Sequence, residues 1–221
     1  MVRVKICGIR RIEDAFSAIR WGADSLGFLV GQKHASPDFV TAEQAREIVL
    51  RLPPFVTKVM VTHLHSAAEV VALADIVAAD TVQLHGEIPP AEIRELRRQR
   101  PHLRLLKSFH IVDEASVEYG VPYVGLVDAF VVDSLNAETG QIGGTGLVHD
   151  WTISRRVVSR YPTPVILAGG LTPENVQDAI HAVRPYAVDV NSGLKDAQGF
   201  KDHAKIHTFV DNVKAVYACP A

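Results

Sequence analysis

Eight short runs of apolar and β-branched residues recur along the chain roughly 20 to 30 residues apart, and segments with helical patterning separate them. These runs are predicted to be buried strands at residues 2–6, 25–30, 57–61, 81–84, 103–108, 129–132, 165–167 and 187–190. Strands that alternate with helices favour a parallel sheet, because each helix returns the chain to the start of the next strand. Eight regular units favour one closed (β/α)8 TIM barrel domain of residues 1–221 over a doubly wound open sheet.

Helix signals fit the same alternation. Amphipathic patterns cover residues 12–21, 67–74, 151–159 and 201–217. Thr41 and Thr172 stand where helices are predicted to begin, and Pro173 follows Thr172 at the first helical position. Residues 113–128 differ, because Tyr119-Gly120-Val121-Pro122 interrupts any long helix there.

Two predicted strands end in small residues that would let a ligand approach the backbone. Gly169 and Gly170 follow the seventh strand, whereas Ser192 and Gly193 follow the eighth. In a (β/α)8 barrel these two loops often bind a phosphate through backbone amides. A further Gly-rich stretch, Gly143-Gly144-Thr145-Gly146, follows the sixth strand, and the three stretches together predict a bound phosphate group.

Side chains able to do chemistry stand at several strand ends, where barrel enzymes have their active sites. They are Cys7, Gln83, His85, His110, Asp133 and Asp189. Cys7 is either an inert buried thiol or a proton-transfer group with a tuned pKa. Asp133 either caps a helix or acts at the barrel mouth. Asp189, inside its strand, must be hydrogen-bonded or paired, either to hold loops together or for catalysis.

Composition narrows the class of function. The formal charge of −2 and the pI near 6.5 give no indication of a nucleic-acid surface. No apolar run reaches the length of about 18 residues typical of a membrane span, and no leader peptide is recognised. With only Cys7 and Cys219, a structural disulfide is not expected, so we expect a protein of the reducing cytoplasm.

Several motifs occur in an order that resembles one enzyme family. They are Lys5-Ile6-Cys7-Gly8-Ile9, Gln83-Leu84-His85-Gly86, Asp133, Gly143-Gly144-Thr145-Gly146, Asp150-Trp151, Leu167-Ala168-Gly169-Gly170-Leu171 and Arg184-Pro185-Tyr186-Ala187-Val188-Asp189-Val190-Asn191-Ser192-Gly193. The resemblance covers nearly the whole chain. On this basis the sequence is similar to the phosphoribosylanthranilate isomerases of tryptophan biosynthesis.

The resemblance implies an Amadori rearrangement, in which an N-linked ribose phosphate becomes an open-chain amino-ketose. Asp133 matches the family's acid and would protonate the furanose ring oxygen. Cys7 matches the family's base and would remove the C2 proton. These roles require the pKa of Asp133 to be raised and that of Cys7 to be depressed.

The same resemblance implies the residues that hold the phosphoribosyl substrate. Those expected to contact it are Gln83, His85, Gly144, Thr145, Gly146, Gly169, Gly170, Asp189, Ser192 and Gly193. The rearrangement contains no net redox change, so neither a cofactor nor a metal is expected.

One stretch departs from the family pattern. After the second strand the family has a run whose arginine grips the anthranilate carboxylate, but residues 31–38 contain no arginine. Lys33 or His34 could supply a cation, although neither reproduces the fork of a guanidinium. Thr62-His63-Leu64-His65 also differs from the apolar run that ends in Asn in the family. The phosphosugar half of the site therefore matches better than the aglycone half.

Other functions remain open at this point. His34, His63, His65, His85 and His110 fall near predicted strand ends, so a metal-dependent sugar-phosphate epimerase is one alternative. A barrel that binds a phosphorylated ligand without turnover is another, although such a barrel needs neither Cys7 nor Asp133. A histidine-pathway isomerase is disfavoured, because it carries paired Asp residues. The sequence does not distinguish a monomer from a homodimer.

Overall fold

The computed structural model describes residues 1–33, 36–134 and 150–217. In it, eight parallel strands pair in sequence order and close into a barrel, as β8 pairs with β1. The predicted TIM-barrel fold is therefore confirmed. The strands are β1 Arg3–Ile6, β2 Ser25–Leu29, β3 Thr57–Thr62, β4 Thr81–Leu84, β5 Arg104–Ile111, β6 Ala129–Ser134, β7 Val165–Leu167 and β8 Ala187–Val190.

Helices surround the barrel and follow the predicted alternation. The α-helices are α1 Ile12–Trp21, α2 Ala42–Val49, α3 Ala67–Val77, α4 Pro90–Gln99, α5 Trp151–Arg160, α6 Val176–Val183 and α7 His203–Ala215. Between β5 and β6 the chain forms a 3-10 segment, Glu114–Tyr123, in which Pro122 and Gly120 prevent a regular α-helix. None of the helices in the described ranges combines the length and apolar character that a membrane crossing requires.

Three helices differ in their boundaries from the sequence predictions, and the first of them, α3, extends to Val77 rather than ending at residue 74. Helix α6 begins at Val176 rather than at Pro173, because residues 172–175 form a closed turn first. In that turn Asn175 Oδ1 accepts from the Thr172 amide at 2.8 Å, and Thr172 Oγ1 accepts from the Glu174 amide at 3.2 Å. Helix α7 spans His203–Ala215 rather than 201–217, since Asp202 caps it by accepting from the amides at 204 and 205.

The barrel closure sorts the buried side chains into two cores. One core lies between strands and helices, and a smaller one fills the barrel interior. The interior residues are Cys7, Val59, Val61, Leu106, Ala129, Val131, Ile166, Ala168 and Ala187. Every second side chain of a strand points into the barrel, so two positions beyond these apolar residues the chain reaches the carboxyl end of the barrel with another inward side chain. The inward side chains at that end are mostly polar.

Candidate active site

Cys7 follows β1 and points into the barrel interior, where its side chain is buried. Space for the thiol comes from Gly27 on β2, since a Cβ on Gly27 would lie 2.7 Å from Cys7 Sγ and 3.2 Å from Lys5 Nζ. Gly8 turns the chain away with a φ of +72°, a conformation that favours glycine. The thiol therefore sits at the mouth of the barrel on a tightly packed strand end.

Lys5 and Asp189 form a buried ion pair directly below Cys7. They lie opposite each other in the β1–β8 register, and Lys5 Nζ donates to Asp189 Oδ2 at 2.6 Å. Burial lowers the pKa of Lys5, but the charges of Asp189 and Cys7 raise it more, so the net shift is upward. Asp189 thus holds a charged lysine beside the thiol. Its other oxygen, Oδ1, is buried and has no hydrogen-bond partner within the described ranges.

The protonation state of Cys7 differs from the sequence expectation. Burial raises the pKa of the thiol to about 11, although the positive charges of Lys5 and Lys201 oppose this shift. The prediction that Cys7 has a depressed pKa is therefore wrong for the enzyme without substrate. Sequence patterning could not reveal this, because the shift depends on how completely the folded barrel excludes water from the thiol.

Asp133 in β6 has the raised pKa that an acid requires. Burial raises the pKa of its carboxyl to about 7, even though the Ser134 amide donates to Oδ1 at 2.7 Å and favours the charged form. Gly169 packs against this carboxyl, since a Cβ there would lie 2.9 Å from Asp133 Oδ1. The turn after β7 therefore packs directly against the buried acid. Among the described helices, the one that follows β6 is α5, and its N-cap is Asp150 rather than Asp133.

The turns after β7 and β8 present unused backbone donors. Gly169 and Gly170 have φ values of +83° and +65°, and Gly193 approaches the turn after β7 so closely that a Cβ would lie 2.0 Å from Leu171 O. In the described part of the chain, the amides of Gly169, Gly170, Ser192 and Gly193 donate to no backbone carbonyl. Neighbouring free amides of this kind suit an anion. The third predicted stretch, Gly144, Thr145 and Gly146, lies outside the described residues.

Gln83 and His85 lie on β4 and at its end, in one polar network. Gln83 Nε2 donates to Ser108 Oγ at 3.0 Å, and His85 Nδ1 is 3.2 Å from the same hydroxyl. Gln83 Oε1 is buried without a partner among the residues described, so it can accept a hydrogen bond from a ligand hydroxyl. Burial is the main cause that lowers the pKa of His85 well below its usual value, so the imidazole is neutral near pH 7.

The remaining histidines separate into inward and outward positions. His63, His85 and His110 point inward from three consecutive strand ends, with ring centroids 5.2 Å and 5.3 Å apart. Burial lowers the pKa of His110 to about 4. His65 does not join them, because β3 ends at Thr62 and His65 is exposed in the following loop. His34 lies outside the described residues.

A second polar cluster, which the sequence did not reveal, joins the loop after β2 to the loop after β8. Asp38 Oδ2 accepts from Lys195 Nζ at 2.7 Å and from Asn191 Nδ2 at 3.0 Å. Lys201 Nζ donates to Asn191 Oδ1 at 2.7 Å, and burial lowers the pKa of Lys201 to about 8. A Cβ on Gly8 would lie 2.4 Å from Asn191 Oδ1, so the cluster borders the strand end that carries Cys7.

Sequence reasoning missed three lysines of the site, and two of them, Lys5 and Lys195, pair with carboxylates that are distant in the chain. Lys5 pairs with Asp189 across 184 positions, and Lys195 pairs with Asp38 across 157. A signal existed only for Lys5, because a lysine two positions before Cys7 must point to the same side of a strand. Lys195 and Lys201 lie in a loop, where no periodicity indicates direction.

Comparisons with known proteins agree with this geometry. A family model described as N-(5'phosphoribosyl)anthranilate (PRA) isomerase matches residues 4–212. N-(5'-phosphoribosyl)anthranilate isomerase 2 of Methanosarcina mazei is 45% identical over 213 residues, which are 96% of this chain and 94% of that protein. The crystal structure of phosphoribosyl anthranilate isomerase from Thermotoga maritima superposes with a TM-score of 0.86 at 37% identity and covers 97% of this chain and 100% of its own.

A further similar structure contains a bound ligand. It is phosphoribosyl anthranilate isomerase in complex with reduced 1-(o-carboxyphenylamino)-1-deoxyribulose 5-phosphate, with a TM-score of 0.83 and 35% identity over 97% of this chain and 100% of that one. The family match spans most of the barrel, from β1 into α7. The chain therefore belongs to the N-(5'-phosphoribosyl)anthranilate isomerase family.

Proposed function

We propose that the chain converts N-(5'-phosphoribosyl)anthranilate to its 1-deoxyribulose 5-phosphate product in tryptophan biosynthesis, with Asp133 as acid and Cys7 as base. The observation that carries these roles is the buried carboxyl of Asp133, whose pKa of about 7 leaves much of it protonated at neutral pH. A carboxylic acid that remains neutral can donate a proton to a sugar oxygen. A barrel that only binds phosphate would need no such group.

The proton balance of the reaction fits two groups. Asp133 gives its proton to the ring oxygen, the C1–O bond breaks, and the anthranilate nitrogen lone pair forms the C1=N bond of a Schiff base. The Cys7 thiolate then removes the C2 proton, and the released electron pair forms an enolamine that tautomerises to the ketone. Return of one proton from Cys7 to Asp133 restores the enzyme. Neither an oxidant nor a metal enters the balance.

In the enzyme without substrate, the proton lies on the wrong group for these reaction steps. With pKa values of about 7 for Asp133 and about 11 for Cys7, a single shared proton resides on the thiol. The reactive pair, a carboxylic acid and a thiolate, is therefore a minor form of the free enzyme. The charges of Lys5 and Lys201 favour the thiolate, and we assign to them the stabilisation of this form.

The substrate's phosphate is proposed to rest on the unused amides after β7 and β8, and on Gly144, Thr145 and Gly146. Gln83 and His85 are assigned to the sugar hydroxyls, because Gln83 Oε1 is a buried acceptor without a partner in the described ranges. Asp189 acts through Lys5, which it holds beside Cys7. With the phosphate and the sugar assigned in this way, the anthranilate group is left to contact residues nearer the loop after β2.

For the anthranilate carboxylate, we propose Lys195 as the cation. The loop after β2 lacks an arginine, but its Asp38 fixes Lys195 Nζ at 2.7 Å while the lysine side chain remains 21% exposed. An ammonium that binds one carboxylate keeps N–H donors for a second. Together with Lys201, the cluster carries two potential positive charges against one negative charge. Lys33 is exposed and has no hydrogen-bond partner in the described part of the chain.

The setting of the enzyme follows from the same chemistry. A catalytic thiol must stay reduced, which supports action in the cytoplasm. The near-neutral charge supports a small-molecule substrate rather than nucleic acid. A monomer or a homodimer remains the expectation, and the fully exposed Phe55 is an apolar side chain available to a second copy.

Turnover of freshly generated substrate, followed by the loss of anthranilate fluorescence, tests the proposal. We expect catalysis that a chelator does not affect. Cys7→Ala and Asp133→Asn should each lower kcat by about 10²- to 10⁴-fold, the usual contribution of a proton-transfer group, with phosphate-ligand affinity nearly intact. Cys219→Ala is the matched cysteine control and should keep its activity. Equal loss of turnover and affinity in Cys7→Ala would remove its role as base.

The pKa of the Cys7 thiol can be measured from the ultraviolet absorbance of its thiolate. The difference between wild type and Cys7→Ser cancels the signal of Cys219 and isolates Cys7. We expect no thiolate signal from the free enzyme near pH 7 and a midpoint well above pH 9, because burial raises the pKa to about 11. A midpoint near neutrality would mean that Lys5 and Lys201 outweigh burial.

The role of Lys195 predicts a selective effect on binding. Lys195→Met should raise KM for the anthranilate substrate about tenfold or more, since a charge-assisted hydrogen bond contributes about 1.5–3 kcal/mol. The kcat value should change little, because the carboxylate is remote from the reacting bonds. With the aniline analogue, which lacks the carboxylate, the variant and wild type should have the same KM. An equal rise for both substrates would show that Lys195 only supports the loop.

A further inference from the structure

A row of metal-ligating side chains crosses the barrel mouth on strands β4, β5 and β6. His85 follows β4, His110 lies in β5, and Asp133 lies in β6. The rings of His85 and His110 have centroids 5.3 Å apart, and His110 is directly opposite Asp133 in the β5–β6 register. Closure of the barrel thus brings together three groups that are separated by 25 and 23 positions in the sequence.

The donor atoms of this row are close enough to share one ion. One ligand atom each from His85, His110 and Asp133 lie within 4.8 Å of one another. In a tetrahedral zinc site with bonds of about 2.0–2.1 Å, two ligand atoms are roughly 3.4 Å apart. Each donor would have to move inward by only about 1 Å, which rotation about side-chain bonds can supply.

Two histidine nitrogens of the row are suited to bind a metal. His110 Nε2 is buried and has no hydrogen-bond partner within the described ranges. His85 Nδ1 lies 3.2 Å from Ser108 Oγ. When Nδ1 donates to that hydroxyl, the lone pair of Nε2 is left for a metal, and the hydroxyl fixes the orientation of the ring.

The ligand set selects the kind of ion. Two imidazoles and one carboxylate suit borderline transition metals, whereas Mg²⁺ and Ca²⁺ prefer all-oxygen sites. Three protein ligands leave a fourth position for water. We propose that His85, His110 and Asp133 form a site for a divalent transition-metal ion such as Zn²⁺, and that the bound ion inhibits the enzyme.

Inhibition follows from the place of Asp133 in the row. A carboxylate that binds a metal cannot donate a proton to the ring oxygen, and the ion fills space at the barrel mouth where the sugar would lie. The inhibition should therefore be competitive with substrate. This part rests on the proposed isomerase activity, whereas the binding of the ion does not.

The test is titration calorimetry of Zn²⁺ alone into the chelator-treated full chain. We expect one ion per chain for wild type. His110→Ala should weaken binding by about 100-fold or more, since even changes beyond the ligands cost 10- to 100-fold. The exposed His65→Ala is the matched histidine control and should bind like wild type. Cys7→Ser should also bind normally, which separates this site from capture of zinc by the thiol.

Activity assays provide a second readout. Zn²⁺ should raise the apparent KM of wild type, a chelator should reverse the effect, and His110→Ala should turn over in metal-free buffer but resist inhibition. His110→Gln is a second variant if the alanine variant does not fold. Absence of stoichiometric binding, or equal binding by both His110 variants, overturns the site. Binding through His110 by a chain without isomerase turnover would instead contradict the proposed function and leave the metal site standing.

Discussion

Closure of eight parallel strands into one ring is the constraint on which the site depends. It forces every second side chain of each strand into a narrow interior that excludes water. At the carboxyl end this layer holds ionisable groups rather than apolar ones. Lys5 and Asp189 resolve their burial by pairing at 2.6 Å, whereas Asp133 and Cys7 favour their neutral forms.

The same exclusion of water helps one catalytic group and hinders the other. For Asp133, the raised pKa provides a protonated acid near neutral pH, but it lowers the free energy of unfolding there. Its unfolded value is near 3.8 and its folded value is about 7, so the native state holds the proton more tightly. The stabilisation by the neutral carboxyl is present below about pH 4 and is lost as the pH rises to about 7. For Cys7, exclusion of water opposes the thiolate, so Lys5 and Lys201 must offset it.

Much of the fold was predictable because its signals are local. Short apolar, β-branched runs and helix-start residues such as Thr41 placed the elements of the barrel, and Thr41 does cap α2. The position of Cys7 and Asp133 at strand ends followed from that order. The pKa of Cys7 and the Asp38–Lys195 pair did not, because both depend on contacts between distant segments. The start of α6 was missed because the Asn175 side chain closes a turn ahead of the helix.

The central claim is that burial keeps Asp133 protonated near neutral pH. Carbon-13 NMR of labelled aspartate, with Asp133→Asn to identify the signal, measures its titration directly. The account predicts a midpoint near pH 7 in the free enzyme. A midpoint close to the ordinary value of about 4 would contradict it, because the carboxylate would then be ionised at the pH where the enzyme needs an acid.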